Sequence, residues 1–272
     1  MQTVDAVGRE LHGRVEAEGL HPGDTVVVGA YGEHSARTGV SSSLTDPAQS
    51  DRSALVSGAA YVFVRRAGAW SQQACLKASN TDSGDSFGHS LAIDRDTIVV
   101  GAGQESSAAT GVDNTTPGQA DNSAAASGAA YVFARTKDAW SQQAYLKASN
   151  AEAGDWFNNV DVTGDTIVVG ACGESSAARG INSTSPGQGD NSAEASGAVY
   201  VFGRTGATWS QVAYLKASNA DAGDRFCVVA ASRDTIAVGA AYESSATVGT
   251  NNSPPGSADN SVAQSGAVYV FR

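Results

Sequence analysis

The sequence is poor in the residue types on which most catalytic and metal sites depend. Its 272 residues include four histidines, three cysteines and one methionine. Cys75, Cys172 and Cys227 form no C-x-x-C pair, so their spacing indicates no zinc site, and their odd number indicates no disulfide framework. We therefore expect all three to be small buried side chains.

Long apolar runs and basic charge are also scarce. No segment approaches the roughly 20 apolar residues that span a bilayer, and the N-terminus lacks the basic and then apolar layout of a secretory signal. The chain has 28 acidic and 17 basic side chains, a net charge of -11. This balance opposes binding to nucleic acid or to anionic lipid. We expect no nucleic-acid partner and no membrane insertion.

The most informative feature that is present is an internal repeat. Four units with a period of 69 to 72 residues fill the chain, and three phrases recur in a fixed order. DTVVVGA at 24–30 returns in closely similar form at 96–102, 165–171 and 234–240; SGAAYVF at 57–63 returns at 127–133, 196–202 and 265–271; WSQQACLKASN at 70–80 returns at 140–150 and 209–219.

One stretch matches the G-x-S-x-G pattern of a nucleophilic serine. It is GDSFG at 84–88, with Ser86 in the position of the nucleophile. In the next two units the serine is replaced by Trp156 and Arg225, and none of the four histidines recurs. Because a catalytic serine needs a base and an orienting acid, we predict no catalytic residue and no enzyme.

Each unit is predicted to form four short β-strands. The first follows Gly-Asp-x-Phe, the second and third are apolar on both faces, and the fourth alternates. In the fourth strand we expect Trp140 and Leu146 on one face. Tyr145 and Lys147 would then lie on the other face, where lysine protects an exposed sheet edge.

Repetition of such a sheet at a fixed period predicts an all-β fold, a β-propeller of four blades, each a four-stranded antiparallel sheet. Residues 1–272 would form a single domain. The blades would span about 8–80, 81–150, 151–219 and 220–272, the last completed by residues 1–7. The last unit has no WSQ strand, so two alternatives remain: a blade of three strands, or a strand borrowed from a neighbouring chain. We expect a monomer or a weak oligomer.

The motifs DxFG, DTIVVGA and SGAxYVF, in this order, resemble the FG-GAP repeat family, and the resemblance covers residues from about 8 to 272. The resemblance implies a propeller similar to the integrin α-subunit head, an extracellular or cell-surface location and a ligand-binding face. In that family some blades bind Ca²⁺ in the hairpin between the first two strands. Here those hairpins read AIDRDT, DVTGDT and AASRDT, which are too short and too poor in carboxylates, so those calcium sites are not carried over.

Long loops of about 25 residues separate the second and third strands, as at 103–127. Loops of this length are uncommon unless they are functional or disordered. In a propeller they would share one end with the Gly-Asp turns, so we place the function there. Each loop carries a glutamate after the second strand and an Asp-x-Ser before the third. These groups either pin the loop by accepting backbone N–H groups or converge on Ca²⁺, the one cofactor considered.

The candidate site residues all lie at this end. The candidate ligand-binding residues are Glu33, Glu105, Glu174, Glu243, Asn122, Asn191, Asn260 and Trp156; the candidate Ca²⁺ ligands are Glu105, Asp121, Glu174, Asp190, Glu243 and Asp259. The expected function is a non-enzymatic recognition or adhesion module for a protein or glycan ligand. The alternatives are a multivalent lectin with one site per blade and a structural or assembly propeller with no small ligand.

Overall fold

The computed structural model describes residues 25–43, 51–112, 116–181, 187–246, 248–250 and 259–272. The first blade contains β1 (Thr25–Ala30), β2 (Val40–Ser41), β3 (Ala59–Arg66) and β4 (Ala69–Leu76). The second contains β5 (Ser90–Asp94), β6 (Thr97–Ala102), β7 (Ala129–Thr136) and β8 (Ala139–Leu146). The third contains β9 (Phe157–Thr163), β10 (Thr166–Ala171), β11 (Ala198–Thr205) and β12 (Thr208–Leu215). The fourth contains β13 (Phe226–Ser232), β14 (Thr235–Ala240) and β15 (Ala267–Phe271).

The four sheets are antiparallel, and the predicted all-β propeller of four blades is confirmed. Strand order follows the chain in the second and third blades, whereas the first runs β1-β3-β4-β2 and the fourth β13-β14-β15. The short helix α1 (Thr116–Gln119) lies in a long loop, and no helix in the described ranges is long and apolar enough to cross a membrane. The first strand predicted for the first blade and the closure by residues 1–7 lie outside the described residues.

Successive blades pack face to face, the first on the second, the second on the third and the third on the fourth. In the contact between the first two blades, Val62 and Leu76 meet Phe87 and Tyr131. Phe87 lies edge-on to Tyr131, with ring centroids 5.3 Å apart. The same pair of rings recurs in the next two blades. The repeated aromatic residues therefore form the contacts between blades.

A glycine in the second strand of each blade lets successive sheets approach backbone to backbone. A Cβ atom at Gly101 would overlap the carbonyl oxygen of Asn158 in the next blade, and Gly29 and Gly170 have the same environment. At Gly239 in the fourth blade the nearest atom would be the Val228 Cβ, 3.5 Å away. One repeat position is thus closed in three blades and open in the fourth.

This difference gives a matched pair of substitutions. We expect Gly101→Ala to lower the free energy of unfolding by about 1–3 kcal/mol, because the added methyl group forces the backbones apart. Gly239→Ala should leave that free energy unchanged or raise it by about 0.5–1 kcal/mol, since alanine suits a strand better than glycine. Urea unfolding of both variants measures the difference. Equal stability of the two would contradict the backbone contact.

The fourth strand of each complete blade contains a β-bulge that the alternation in the sequence did not reveal. Val132 pairs with Ala144 but the next residue, Phe133, pairs with Gln142, so Gln143 is the extra residue. Because the bulge reverses the alternation, Trp140 and Tyr145 face the first blade, whereas Ala144 and Leu146 face the third. The prediction that Trp140 and Leu146 share a face was wrong for this reason.

The prediction of no disulfide was also wrong. Cys172 and Cys227 form a disulfide between the third and fourth blades. Their counterparts one unit earlier are Gly103 and Asn158, which are also neighbours, since a Cβ atom at Gly103 would meet the Asn158 side chain. The two cysteines occupy a repeated contact between blades. Cys75 is free and buried, as predicted.

Candidate functional site

The long loops and the Gly-Asp turns lie at one end of the propeller, as predicted. The Gly154 and Trp156 N–H groups donate to the carbonyls of Ala125 and Ala126, at the end of the preceding blade's loop (2.9 and 3.1 Å). The same pairing joins the turns and loops of the neighbouring blades. The β5–β6 and β7–β8 hairpins lie at the opposite ends of their strands. We call the end that carries the long loops the loop end.

The Asp-x-Ser aspartates pin these loops. Asp121 Oδ2 accepts hydrogen bonds from the Ala108 N–H (3.0 Å) and the Ser123 hydroxyl (2.8 Å), and Oδ1 accepts the Ser123 N–H. These bonds, with the Ser123 hydroxyl foremost, lower the pKa of Asp121. Corresponding bonds are made by Asp51, Asp190 and Asp259. The interpretation that these groups hold the loop through local turns is confirmed.

The loop glutamates form buried ion pairs with lysines of the fourth strands. Lys147 Nζ lies 2.9 Å from Glu105 Oε2 and 2.7 Å from Ser127 Oγ, and both charged side chains are almost fully buried. Burial lowers the pKa of Lys147, and the Glu105 carboxylate opposes that effect. Lys77 with Glu33 and Lys216 with Glu174 repeat the pair, each at 2.8 Å.

The prediction that Lys147 protects an exposed sheet edge was therefore wrong. The lysine points inward because a carboxylate and a hydroxyl of its own blade compensate its charge there. The sequence contained a signal of this pairing: three of only four lysines share one repeat position, and each of their units carries a glutamate at another.

Each buried glutamate also contacts the preceding linker. Asn80 Nδ2 donates to Glu105 Oε1 at 3.0 Å, while Asn80 Oδ1 accepts the Tyr131 hydroxyl at 2.6 Å. Asn150 and Asn219 make the equivalent bonds to Glu174 and Glu243. Among the candidate ligand-binding glutamates, Glu105, Glu174 and Glu243 thus have a partner from the linker before the blade. Glu33, Glu105 and Glu174 have a lysine.

The residues proposed as Ca²⁺ ligands do not fit that ion. Ca²⁺ requires six to eight oxygen ligands, but the carboxylate oxygens of Glu105 and Asp121 accept an ammonium, N–H groups and a hydroxyl. Glu174 and Asp190 face the same kinds of donor. In the described part of the chain no three His, Cys, Asp or Glu side chains are grouped so that they could hold a metal.

The aspartates of Gly-Asp-x-Phe are turn residues. Asp85 Oδ2 accepts the Asp82 N–H at 2.8 Å, and Asp155 and Asp224 make the same bond three residues back. Burial raises the pKa of Asp85 and that of Asp155 to about 7. These carboxylates therefore stabilise the turn by accepting its backbone N–H groups.

The candidate asparagines tie the long loops to the linkers at the surface. Asn122 Nδ2 donates to Asp82 Oδ2 at 2.9 Å, and Asn191 donates to Glu152 at 2.6 Å. Asn260 repeats this contact with Asp221. All three asparagines are exposed, so their side chains border the solvent at the loop end.

The turn residue between Gly-Asp and Phe carries the most varied side chains of the loop end. Ser86, Trp156 and Arg225 occupy this position, each with φ between 52° and 60°. Trp156 is 42% exposed. The Arg225 guanidinium lies over the Tyr242 ring, 5.2 Å from its centroid, and Tyr242 is also 42% exposed. Sequence reasoning missed Arg225 and Tyr242; the signal was that both are large side chains at positions that vary from unit to unit. Trp156, Arg225 and Tyr242 are called the variable surface below.

A model of the FG-GAP repeat matches the chain three times, at residues 70–133, 140–202 and 209–271. Each match begins in the fourth strand of one blade and ends in the third strand of the next. No curated protein matches the chain. Propellers built from this repeat are of the integrin-like kind and generally bind other molecules without catalysis. Since the three matches cover well over half of its length, the chain belongs to the FG-GAP repeat family.

Proposed function

We propose that this protein is a non-enzymatic recognition module that binds an extracellular protein ligand through the variable surface. The observation that carries the proposal is the combination of exposure and irregularity at Trp156, Arg225 and Tyr242. The backbone hydrogen bonds that hold the turn at Trp156 recur at Ser86 and Arg225. Side chains that vary on a repeated scaffold are suited to recognition, because the scaffold fixes their position.

The chemistry of the variable surface supports a protein ligand. Tryptophan, tyrosine and arginine are the residues that most often dominate binding energy in protein interfaces. The backbone beneath Trp156 is held by its N–H bond to Ala126 and by the Asp155 turn. A surface fixed in this way loses little conformational entropy when it binds.

A lectin with one site per blade is the second candidate function. Such a protein would repeat an aromatic side chain beside Asp and Asn in successive blades. The position between Gly-Asp and Phe instead carries Ser86, Trp156 and Arg225 in successive blades, so no aromatic side chain repeats there. Trp156 could still stack on a sugar, so the test includes glycans.

An extracellular or cell-surface location forms part of the proposal. The Cys172–Cys227 disulfide supports it, since disulfides persist mainly in oxidising compartments. The FG-GAP repeat is also typical of extracellular proteins.

The test compares two variants on arrays of purified extracellular proteins and of purified glycans. We expect the wild-type protein to bind a small set of proteins, and Trp156→Ala with Arg225→Ala to weaken that binding by about 30-fold or more. The control is Lys137→Ala, an exposed residue of the β7–β8 hairpin at the opposite end, which should bind like wild type. Unchanged binding by the double variant, or no binding on either array, would refute the proposal.

A further inference from the structure

The Cys172–Cys227 disulfide lies between the two segments that carry the variable surface. Trp156 lies in the turn before β9 of the third blade, whereas Arg225 lies in the turn before β13 of the fourth. Cys172 directly follows β10, and Cys227 comes two residues after Arg225. The disulfide therefore joins the blade that carries Trp156 to the segment that carries Arg225.

Backbone contacts connect the cross-link to Trp156 on one side. The N–H group of Gly173, the residue after Cys172, donates to the Asp155 carbonyl at 2.9 Å. A Cβ atom at Gly173 would lie 1.9 Å from the carbonyl oxygen of Gly154, so the two chain segments touch backbone to backbone. Because Trp156 is the next residue of that turn, a displacement of Cys172 is transmitted to it.

On the other side, the cross-link holds the segment of Arg225 and Tyr242. Cys227 is 2% exposed and lies in β13, next to the turn. The Tyr242 N–H donates to the carbonyl of Asp224, the residue before Arg225, at 3.2 Å. Covalent bonds and backbone hydrogen bonds thus connect Trp156 to Tyr242 without a break. Within this path, the disulfide is the link between the two blades.

The corresponding contacts between the other blades are not covalent. Gly103 and Asn158 meet between the second and third blades, where a Cβ atom at Gly103 would lie 3.4 Å from the Asn158 Cβ. Between the first and second blades, the Tyr31 ring lies 5.7 Å from the His89 ring. The cross-link thus coincides with the interface whose two sides carry the variable surface.

We propose that this disulfide positions the variable surface for recognition, by fixing Trp156 relative to Arg225 and Tyr242. This inference rests on the proposed function. Cys172 and Cys227 are then positioning residues, which act through their neighbours. Without the cross-link the third and fourth blades remain folded, but their turns at the loop end move against each other. A ligand would have to immobilise the variable surface on binding, and the lost conformational entropy would lower its affinity.

A moved cross-link separates positioning from stability. The variant Cys172→Gly with Cys227→Asn copies the pair of the preceding interface, which has no cross-link. Adding Gly103→Cys with Asn158→Cys then places a disulfide between the second and third blades, across the same 55-residue separation. The three atoms nearest to a Cβ at Gly103 all belong to the Asn158 side chain, which this substitution replaces. The 3.4 Å between the two Cβ positions is close to the distance in disulfides.

Because the closed loop has the same length, the moved cross-link should restore the free energy of unfolding. Binding is measured on the array of purified extracellular proteins, with all samples shown to be folded by circular dichroism. We expect the variant without a cross-link to bind the array proteins about tenfold or more weakly than wild type, and the moved cross-link to leave binding equally weak.

The outcomes on the array are distinguishable. Binding restored by the moved cross-link would overturn the inference, because stability alone would then account for the effect. Unchanged binding by the variant without a cross-link would overturn it as well, while the proposed function would stand. If the wild type binds nothing on the array, the proposed function fails, and hydrogen exchange still decides the positioning.

Hydrogen exchange of the ligand-free proteins measures the positioning directly. We expect the Gly173 and Arg225 N–H groups to exchange about tenfold or more faster in both variants, because local opening at the loop end becomes easier. The control is the Arg204 N–H, which donates to the Asp165 carbonyl at 2.9 Å at the opposite end and should keep its wild-type rate.

Reduced wild-type protein gives a second sample without the cross-link, so the result does not depend on the folding of one variant. If Gly173 and Arg225 kept their wild-type exchange rates, or if exchange at Arg204 accelerated equally, the inference would be wrong.

Discussion

Lys147→Met should lower the free energy of unfolding by about 3–5 kcal/mol, the usual loss when one partner of a buried ion pair is removed. Methionine fills a similar volume, so the loss arises mainly from charge. Glu105, which is 1% exposed, would keep the bonds from Asn80 and Ser107 but lose the ammonium group of Lys147. Urea unfolding monitored by circular dichroism measures the change.

The ion pair has an internal control. The double variant Lys147→Met with Glu105→Gln removes both charges and should recover a substantial part of the loss, since no charge then remains buried. Lys137→Met, at an exposed hairpin position, should change stability by no more than about 0.5 kcal/mol. If Lys147→Met and Lys137→Met were equally stable, the buried pair would contribute nothing.

Loss of the Cys172–Cys227 disulfide should lower the free energy of unfolding by about 4 kcal/mol. The two cysteines are 55 residues apart in the chain, and a cross-link over that distance restricts the unfolded state strongly. Unfolding of the wild-type protein with and without a reductant, beside the variant in which both cysteines are alanine, measures the effect.

The cysteine variant also serves as the control for the reductant. It retains Cys75, which is free and buried, so the reductant should not change its stability. The reduced wild-type protein should resemble it. A wild-type protein equally stable with and without reductant would show that the cross-link contributes no stability.

The repeat made the blades and their order predictable. DTIVVGA and SGAxYVF become paired central strands because β-branched and small residues suit a sheet covered on both faces. The Asp-x-Ser turns were predictable too, since aspartate and serine bond the backbone within a few residues. These features depend on local sequence, so the repeat displays them directly.

The remaining features depend on contacts between distant residues. Lys147 and Glu105 are 42 residues apart, and each looks like a surface residue until the fold brings them together. The extra residue at Gln143 changes the face of Trp140, and the alternation of side chains carries no mark of a bulge. In the sequence, Cys172 and Cys227 look like two unrelated departures from the repeat. Their proximity arises only from the way one blade packs on the next.

The linker asparagines make neighbouring blades depend on each other. Asn150 follows the second blade, yet it donates to Glu174 and accepts from Tyr200, both in the third. Local unfolding of either blade would remove a hydrogen-bond partner from the buried carboxylate of Glu174. Nearest-neighbour terms of this kind raise the cooperativity of a repeat array, so the blades resist separate unfolding and tend to melt as a unit.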